Sequence, residues 1–116
     1  MGFGWNSRTE LLLGTELTER LAQSHVLVVG LGGVGSYTAE MLCRSGVGEM
    51  TIVDADEVSE TNLNRQLPAL HSTVGQAKCD VVALRLKDIN PELKLHVVHE
   101  FIRDEKTVQL LQAAHY

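Results

Sequence analysis

Residues 26–36, VLVVGLGGVGS, decide the fold of this chain. Four apolar residues lead directly into a turn that contains Gly30, Gly32, Gly33 and Gly35. A short apolar run that ends in several glycines predicts a buried strand, a tight turn and then a helix. Because the helix start adds exposed amides and the positive end of its dipole, the segment favours binding of an anionic phosphate.

Two short helices are predicted before this strand, in residues 1–24. Ser7 and Glu10 have the spacing of a capping box, so the first helix is expected to begin there and to end at Gly14. Thr15 is then expected to cap a second helix that runs to about Gln23. Residues 25–116 form the predicted nucleotide-binding α/β lobe.

After the glycine turn, helices and strands continue to alternate. The pattern predicts a helix from about Ser36 to Ser45 that is closed by Gly46, and then a strand in GEMTIVDAD (48–56) that ends at Asp54. A helix is predicted next, from Val74 to Ile89, with Ala77, Val81 and Leu84 on one face. The last two predicted elements are a strand in LKLHVVHEF (93–101) and a helix from Asp104 to about Ala113. This alternation predicts a Rossmann-like, doubly wound α/β fold with about three parallel strands.

A long polar connection, residues 57–73, separates the second strand from the next helix, and we expect a structured loop with one helical turn. Asp54 stands where a carboxylate binds ribose hydroxyls in many dinucleotide sites. A dehydrogenase would need no more than this. The loop nevertheless contains Arg65, and Lys78 follows the loop. Both cations suit the negative charge that develops on a triphosphate when its α-phosphorus is attacked.

Three segments in this order and spacing, GLGGVGS (30–36), DADEVSETNLNRQ (54–66) and VGQAKCD (74–80), resemble the nucleotide-binding half of the ThiF/MoeB family, the bacterial relatives of the ubiquitin-activating enzymes. The resemblance covers roughly Arg8 to the C-terminus. It implies an ATP-dependent enzyme that activates a carboxylate by adenylation and releases pyrophosphate. Since several separate segments agree, it is more specific than the glycine pattern alone.

The resemblance also implies roles for individual residues. By position, the phosphates would lie against the glycine turn, the ribose on Asp54, and the triphosphate near Asn62, Arg65 and Lys78, with Asp56 and Gln66 beside them. Arg8 corresponds to an arginine that reaches into the ATP site of a partner subunit, which implies a homodimer. The aspartate that binds Mg²⁺ in the family, the catalytic cysteine loop and any zinc-binding CxxC pairs are expected beyond Tyr116. We therefore expect these residues to be the ATP-binding lobe of a longer enzyme and to be inactive by themselves.

Within the family, NLNRQ (62–66), RSGVGEMTIVDAD (44–56) and INPELKLHVVHEF (89–101) are most similar to the enzymes that cyclise threonylcarbamoyladenosine in tRNA with loss of water. Members that activate ubiquitin-like sulfur-carrier proteins commonly have NLQRQ instead, and a carrier protein is the alternative substrate. An NAD-dependent oxidoreductase and a non-catalytic interaction subunit are further alternatives. Only the glycines and Asp54 support an oxidoreductase. The intact Arg65 and Lys78 argue against a non-catalytic subunit.

Composition limits the other possibilities. The net charge of −5 argues against a dedicated nucleic-acid surface within these residues. No apolar run is long enough for a membrane helix and no secretory signal opens the chain, so a cytoplasmic location is expected. Cys43 and Cys79 form no CxxC and have no histidine at ligand spacing, so we predict no metal site on them and expect both to pack as small apolar residues.

Overall fold

The structure is a computed structural model that describes residues 4–102 and 104–116. Its helices and strands follow one another in the order α1 (Ser7–Leu13), α2 (Thr15–Ala22), β1 (His25–Val29), α3 (Gly35–Ser45), β2 (Glu49–Val53), a single 3₁₀ turn (Glu60–Asn62), α4 (Lys78–Ile89), β3 (Lys94–Val98) and α5 (Asp104–Ala113). The predicted α/β class and the predicted order of elements are confirmed.

The three strands form one parallel sheet in the order β1-β2-β3. In its register, His25 lies opposite Glu49 on β2, and Thr51 lies opposite His96 on β3. The carboxyl ends of all three strands therefore meet at one edge of the sheet, where Gly30 and Asp54 follow β1 and β2. Ligands of open parallel sheets bind at this edge.

One face of the sheet carries the core, which α3 and α4 cover. The main cluster of buried apolar side chains consists of Val28, Met50 and Ile52 of the sheet, Ala39 and Cys43 of α3, Cys79, Val82 and Leu86 of α4, and Leu31 and Leu93 of the connections. Cysteine thus behaves as an apolar residue at both positions, as predicted. The predicted buried face of α4 is wrong, because Leu84 is 73% exposed. The stripe that packs begins at Cys79, and a 3.6-residue period from there selects Val82 and Leu86.

The two N-terminal helices have different caps from those predicted. Asn6 precedes α1 and makes no side-chain cap bond, and Ser7 is already helical, so the capping box of Ser7 and Glu10 does not form. Gly14, with φ +87°, is at once the residue after α1 and the cap of α2, and Thr15 is the first helical residue. The helices themselves lie where the sequence predicted them.

The long loop between β2 and α4 is closed at its base by backbone pairing. Val58 donates its N–H to Gln76 O at 2.8 Å and accepts from Gly75 N at 2.9 Å. This pairing, together with φ +90° at Gly75, keeps residues 74–77 out of the helix. Helix α4 therefore begins at Lys78 and not at Val74 as predicted, whereas the expected helical turn inside the loop is present.

The free edge of β1 contacts the end of the chain. Tyr116 donates its N–H to His25 O at 3.2 Å and accepts from Leu27 N at 2.7 Å, which is the hydrogen-bond pattern of neighbouring parallel strands. In a doubly wound sheet, the next strand is added on the side of β1 that faces away from β2.

Within the described part of the chain, no helix has the length and apolarity needed to span a membrane.

Candidate functional site

The glycine turn is shaped by two glycines that no other residue could replace without strain. Gly30 has φ +89°, a left-handed conformation, and donates its N–H to Val53 O at 2.7 Å. A Cβ on Gly35 would lie 1.7 Å from the carbonyl oxygen of Gly30. The start of α3 can therefore approach the end of β1 only because position 35 has no side chain.

The outer part of the turn presents backbone donors without protein partners. The amides of Gly32, Gly33 and Val34 donate to no acceptor among the described residues. No atom lies within 4 Å of the position of a Cβ on Gly33, and α3 begins at Gly35 without a side-chain cap. Unpaired amides at the amino end of an 11-residue helix are well placed to bind a phosphate.

Asp54 joins the turn to the end of β2. Its Oδ2 accepts from the amide of Leu31 and its Oδ1 from the amide of Asp56, both at 2.7 Å. The carboxylate thus fixes the direction in which the chain leaves both strands. A carboxylate has about four lone-pair sites, so two remain for a ligand hydroxyl. Binding of a ribose by Asp54 stays a prediction.

Lys78 is a buried cation beside this edge. Its side chain is 8% exposed, and Nζ lies 3.9 Å from Oδ2 of Asp56, whose own side chain is 64% exposed. The amide of Lys78, the first residue of α4, donates to Asp56 O at 3.0 Å. An ammonium taken out of water is costly unless it is closely paired. Since its carboxylate partner lies at the outer limit of an ion pair, Lys78 retains capacity to bind a further anion.

Gln66 packs against the turn with an unpaired oxygen. Its Nε2 would lie 3.6 Å from a Cβ on Gly32, and its Oε1 is buried without a hydrogen-bond partner among the described residues. Buried polar atoms are nearly always paired in folded proteins. Because Oε1 is an acceptor, it supports a ligand beside the glycine turn that donates a hydrogen bond to it.

Asn62 and Arg65 lie further along the loop and act differently. Asn62 is buried, and its Oδ1 accepts from Ser59 N at 2.9 Å. A capping box therefore forms here, at a position where none was predicted from the sequence. Arg65 is exposed and donates through Nη1 to Thr61 O at 3.1 Å and to Asn64 Oδ1 at 3.0 Å. The structure therefore holds Arg65 against its own loop and does not bring it onto the glycine turn.

Arg8 stands apart from this cluster. It is exposed on α1, and no contact among the described residues joins it to the glycine turn or to the loop. The structure thus brings together the turn, Asp54, Asp56, Gln66 and Lys78, leaves Arg65 on the loop surface, and places Arg8 on another element. Its role across a subunit interface stays a prediction.

Three buried groups on α3 and α4 have shifted pKa values. Burial raises the pKa of the Cys43 and Cys79 thiols, which disfavours the nucleophilic thiolate form. Glu40 on α3 is buried and accepts from Arg85 on α4 and, at 3.2 Å, from Arg44. The hydrogen bond from Arg85, followed by that from Arg44, holds the pKa of Glu40 below its usual range against the opposing effect of burial. The two helices that begin at the site are thereby joined.

Residues 6–116 match the ThiF family. The chain is 52% identical over 99 residues to the tRNA threonylcarbamoyladenosine dehydratase of Bacillus subtilis, an alignment that covers 85% of this chain and 39% of that protein. It is 39% identical over 93 residues to the molybdopterin-synthase adenylyltransferase of Escherichia coli, covering 80% of this chain and 37% of that one.

A solved structure supports the same assignment of the fold. The crystal structure of E. coli tRNA N6-threonylcarbamoyladenosine dehydratase in complex with ATP superposes with a TM-score of 0.89 at 42% identity, over 93% of this chain and 44% of that chain. This chain therefore spans less than half the length of these relatives.

Proposed function

The chain belongs to the ThiF family, and we propose that it is the ATP-binding part of an enzyme that activates a carboxylate by adenylation. The observation that carries the proposal is the buried ammonium of Lys78, linked through Asp56 and Asp54 to a glycine turn with unpaired amides. A nicotinamide site needs the turn and Asp54 but has no use for a buried cation on the following helix.

The proposed reaction makes one bond and breaks another at the α-phosphorus of ATP. A carboxylate oxygen of the substrate attacks that phosphorus, and the bond to the bridging oxygen of pyrophosphate breaks, leaving an acyl adenylate. Negative charge accumulates on the departing pyrophosphate. In this proposal the turn amides and Lys78 stabilise that charge, since preorganised donors in a partly dry site act strongly on developing charge.

Arg65 would join them by changing partners. Its guanidinium now donates to two neutral acceptors, Thr61 O and Asn64 Oδ1, on the surface of the loop. Hydrogen bonds to an ionised phosphate are stronger than those to neutral oxygens, and the planar guanidinium can make two at once. The exchange is therefore favourable when a triphosphate is present.

Mg²⁺ would accompany ATP in this reaction. Among the described residues, the one group of three ligating side chains lies at the other end of the sheet, and both oxygens of Asp54 already accept from amides. The chemistry of these residues thus fits the nucleotide but offers no ready magnesium cluster beside the turn. A magnesium ligand beyond Tyr116 stays a prediction.

For the substrate we propose the carboxylate of threonylcarbamoyladenosine in tRNA, which would cyclise with loss of water after activation. A carboxylate oxygen is a poor leaving group, whereas AMP is a good one. The identity of 52% to a relative named for this substrate supports the choice. The 39% identity to a molybdopterin-synthase adenylyltransferase supports the alternative, the C-terminus of a ubiquitin-like sulfur-carrier protein.

A homodimer belongs to the same proposal, with Arg8 of each subunit reaching the ATP site of the other. Mixing two inactive variants, Arg8→Ala and Arg65→Ala, tests it. In a mixed dimer one site receives both mutations and the other receives neither, so up to one quarter of the activity is expected to return. No recovery on subunit exchange would contradict a role for Arg8 across the interface.

The decisive experiment measures pyrophosphate release with ATP and Mg²⁺ in the longest natural chain that contains these residues. Threonylcarbamoyladenosine-modified tRNA is compared with sulfur-carrier proteins, and Lys78→Met is compared with Lys87→Met, an exposed lysine at the far end of α4. Release that needs the tRNA and is lost only in Lys78→Met supports the proposal. Pyrophosphate release with a carrier protein instead of the tRNA would mean that the carrier protein is the substrate. No release with either substrate would favour the non-catalytic interaction subunit.

A binding experiment on the 116-residue chain separates the nucleotide classes. ATP is expected to raise the melting temperature and NAD is not, since tight binding to the folded state stabilises it by mass action. Lys78→Met is expected to lose most of the shift. Protection by NAD alone would overturn the proposal and favour an oxidoreductase.

A further inference from the structure

A second polar cluster lies on the sheet, away from the glycine turn. His25 and Glu49 are the first residues of β1 and β2, and His96 lies on β3 opposite Thr51. Since residues that lie opposite each other, or two apart on a strand, share a face, all four side chains project from the face not covered by α3 and α4. They line a pocket of roughly 460 Å³ together with Leu110, Ala113 and His115.

The donor atoms of this cluster converge. His96 Nε2 lies 2.7 Å from Glu49 Oε2, and His25 Nδ1 lies 3.9 Å from the same oxygen. Across the three residues, one ligand atom from each lies within 4.8 Å of the others.

His25 is oriented by the groups around it. Its Nε2 lies 2.7 Å from Thr51 Oγ1 in the interior, and its Nδ1 lies 2.8 Å from the carbonyl oxygen of Ala113 at the end of α5. If Nε2–H donates to Thr51, the lone pair of Nδ1 faces the oxygens of Ala113 and Glu49. A cation placed among these three acceptors would be bound by all of them. A partner that fixes the far nitrogen is also the usual arrangement around a metal-binding histidine.

We propose that His25, Glu49 and His96, with the carbonyl of Ala113, bind a first-row divalent cation such as Zn²⁺. Ligand bonds of about 2.0–2.1 Å in a tetrahedral site place neighbouring donors about 3.3 Å apart. The observed separations of 2.7, 2.8 and 3.9 Å fall on both sides of that value. These three separations therefore already lie near the value that one shared ion would impose.

The donor set decides the class of cation. Two imidazoles and one carboxylate suit Zn²⁺, Co²⁺ or Ni²⁺, whereas Mg²⁺ prefers oxygen ligands alone. The site would also have a defined mechanical role, because its ligands come from all three strands and from α5. A bound ion would attach α5 to the sheet face, independently of any nucleotide at the carboxyl ends of the strands.

The test uses the 116-residue chain without a polyhistidine tag, stripped of metal, and titrated with Co²⁺ and then with Zn²⁺ as competitor. We expect one Co²⁺ per chain with the visible absorption of a four-coordinate ion, displaced by Zn²⁺. His96→Gln and Glu49→Gln are each expected to weaken binding at least tenfold. His71→Gln, at an exposed histidine of the long loop, is the matched control and is expected to bind as the parent does.

Both test positions are partly exposed, with 54% of the His96 and 34% of the Glu49 side chain accessible, so the variants are expected to fold, and circular dichroism verifies this. Zn²⁺ is also expected to raise the melting temperature of the parent and of His71→Gln but not that of His96→Gln. Unchanged Co²⁺ affinity in His96→Gln and Glu49→Gln, or the absence of saturable binding in the parent, would overturn the proposal.

Discussion

The two segments that enclose the candidate site, the glycine turn and the long loop, are held in place by different means. The turn is fixed by backbone geometry, through the left-handed Gly30 and the close approach of Gly30 O to Gly35. The loop is fixed by side chains: Asn62 caps its helical turn, and Thr73 donates to Pro68 O at 2.6 Å and accepts from Leu70 N. In the turn, the glycines that give the shape flank the amides that are expected to bind a phosphate. In the loop, residues that give the shape differ from Arg65, which is expected to carry chemistry.

The largest expected effect is that of Gly35→Ala. Its Cβ would lie 1.7 Å from a backbone oxygen, which cannot move without displacing β1 from α3. We expect the free energy of unfolding to fall by at least about 3 kcal/mol, or the chain not to fold. Gly33→Ala, where no atom lies within 4 Å, is expected to change it by less than about 1 kcal/mol. Urea denaturation compares them, and equal stability would refute the proposed basis of the turn.

Asp54, which joins the turn to the end of β2, has the next largest expected effect on stability. Asp54→Ala removes the acceptor of two amides, those of Leu31 and Asp56, and is expected to cost about 2–3 kcal/mol. Asp54→Asn keeps one oxygen acceptor and is expected to lose less. Denaturation midpoints measure both variants. If Asp54→Ala were as stable as the parent, the turn would not depend on the strand end beside it.

A smaller loss of stability is expected for Asn62→Ala. The substitution leaves Ser59 N without its acceptor and is expected to reduce the free energy of unfolding by about 1–2 kcal/mol. Asn64→Ala, two residues away and exposed, is the matched control and is expected to be near neutral. Limited proteolysis reports the same difference locally, since a loop without its cap opens more often. Equal cleavage of the two variants would argue against a side-chain basis for the loop.

The smallest effect on stability is expected for Arg65→Ala. Both hydrogen bonds of the guanidinium are on the surface, so the free energy of unfolding is expected to change by less than about 0.5 kcal/mol. Under the proposed function, pyrophosphate release would nevertheless fall by about a hundredfold or more. Melting temperature and release are measured on the same preparation. A large loss of stability with little loss of activity would make Arg65 a structural residue.

The sequence predicted what is decided locally. Glycine spacing after an apolar run predicted the turn, and alternating elements predicted a parallel sheet, which places Asp54 and Lys78 at one edge. The start of α4 escaped prediction because it depends on pairing of Val58 with Gln76, residues distant along the chain. The buried face of α4 was misassigned for a related reason, because the predicted stripe was counted from Ala77, inside the helix start that the loop pairing excludes, whereas the stripe that packs begins at Cys79.

Side-chain clusters that depend on strand register were also beyond the sequence. The same-face arrangement of His25, Glu49 and His96 follows only once the pairing of the strands is known. The capping motif was sought at Ser7, where the spacing fits, but it forms at Ser59 with Asn62 in place of glutamate. In both cases the residues can be read from the sequence, but the residues that they contact cannot.

The ion pair between Glu40 and Arg85 has a consequence for motion. Helix α3 begins at the glycine turn and α4 begins at Lys78, so a bond between the helices links the two elements that carry the turn and the buried ammonium. Any closure around a ligand is then left to the residues between 57 and 77, on the nanosecond to microsecond timescale of loop motion. Hydrogen exchange is expected to show this directly, with amides near residue 65 exchanging fast in the free chain and slowing when ATP binds, while those of α3 stay slow throughout.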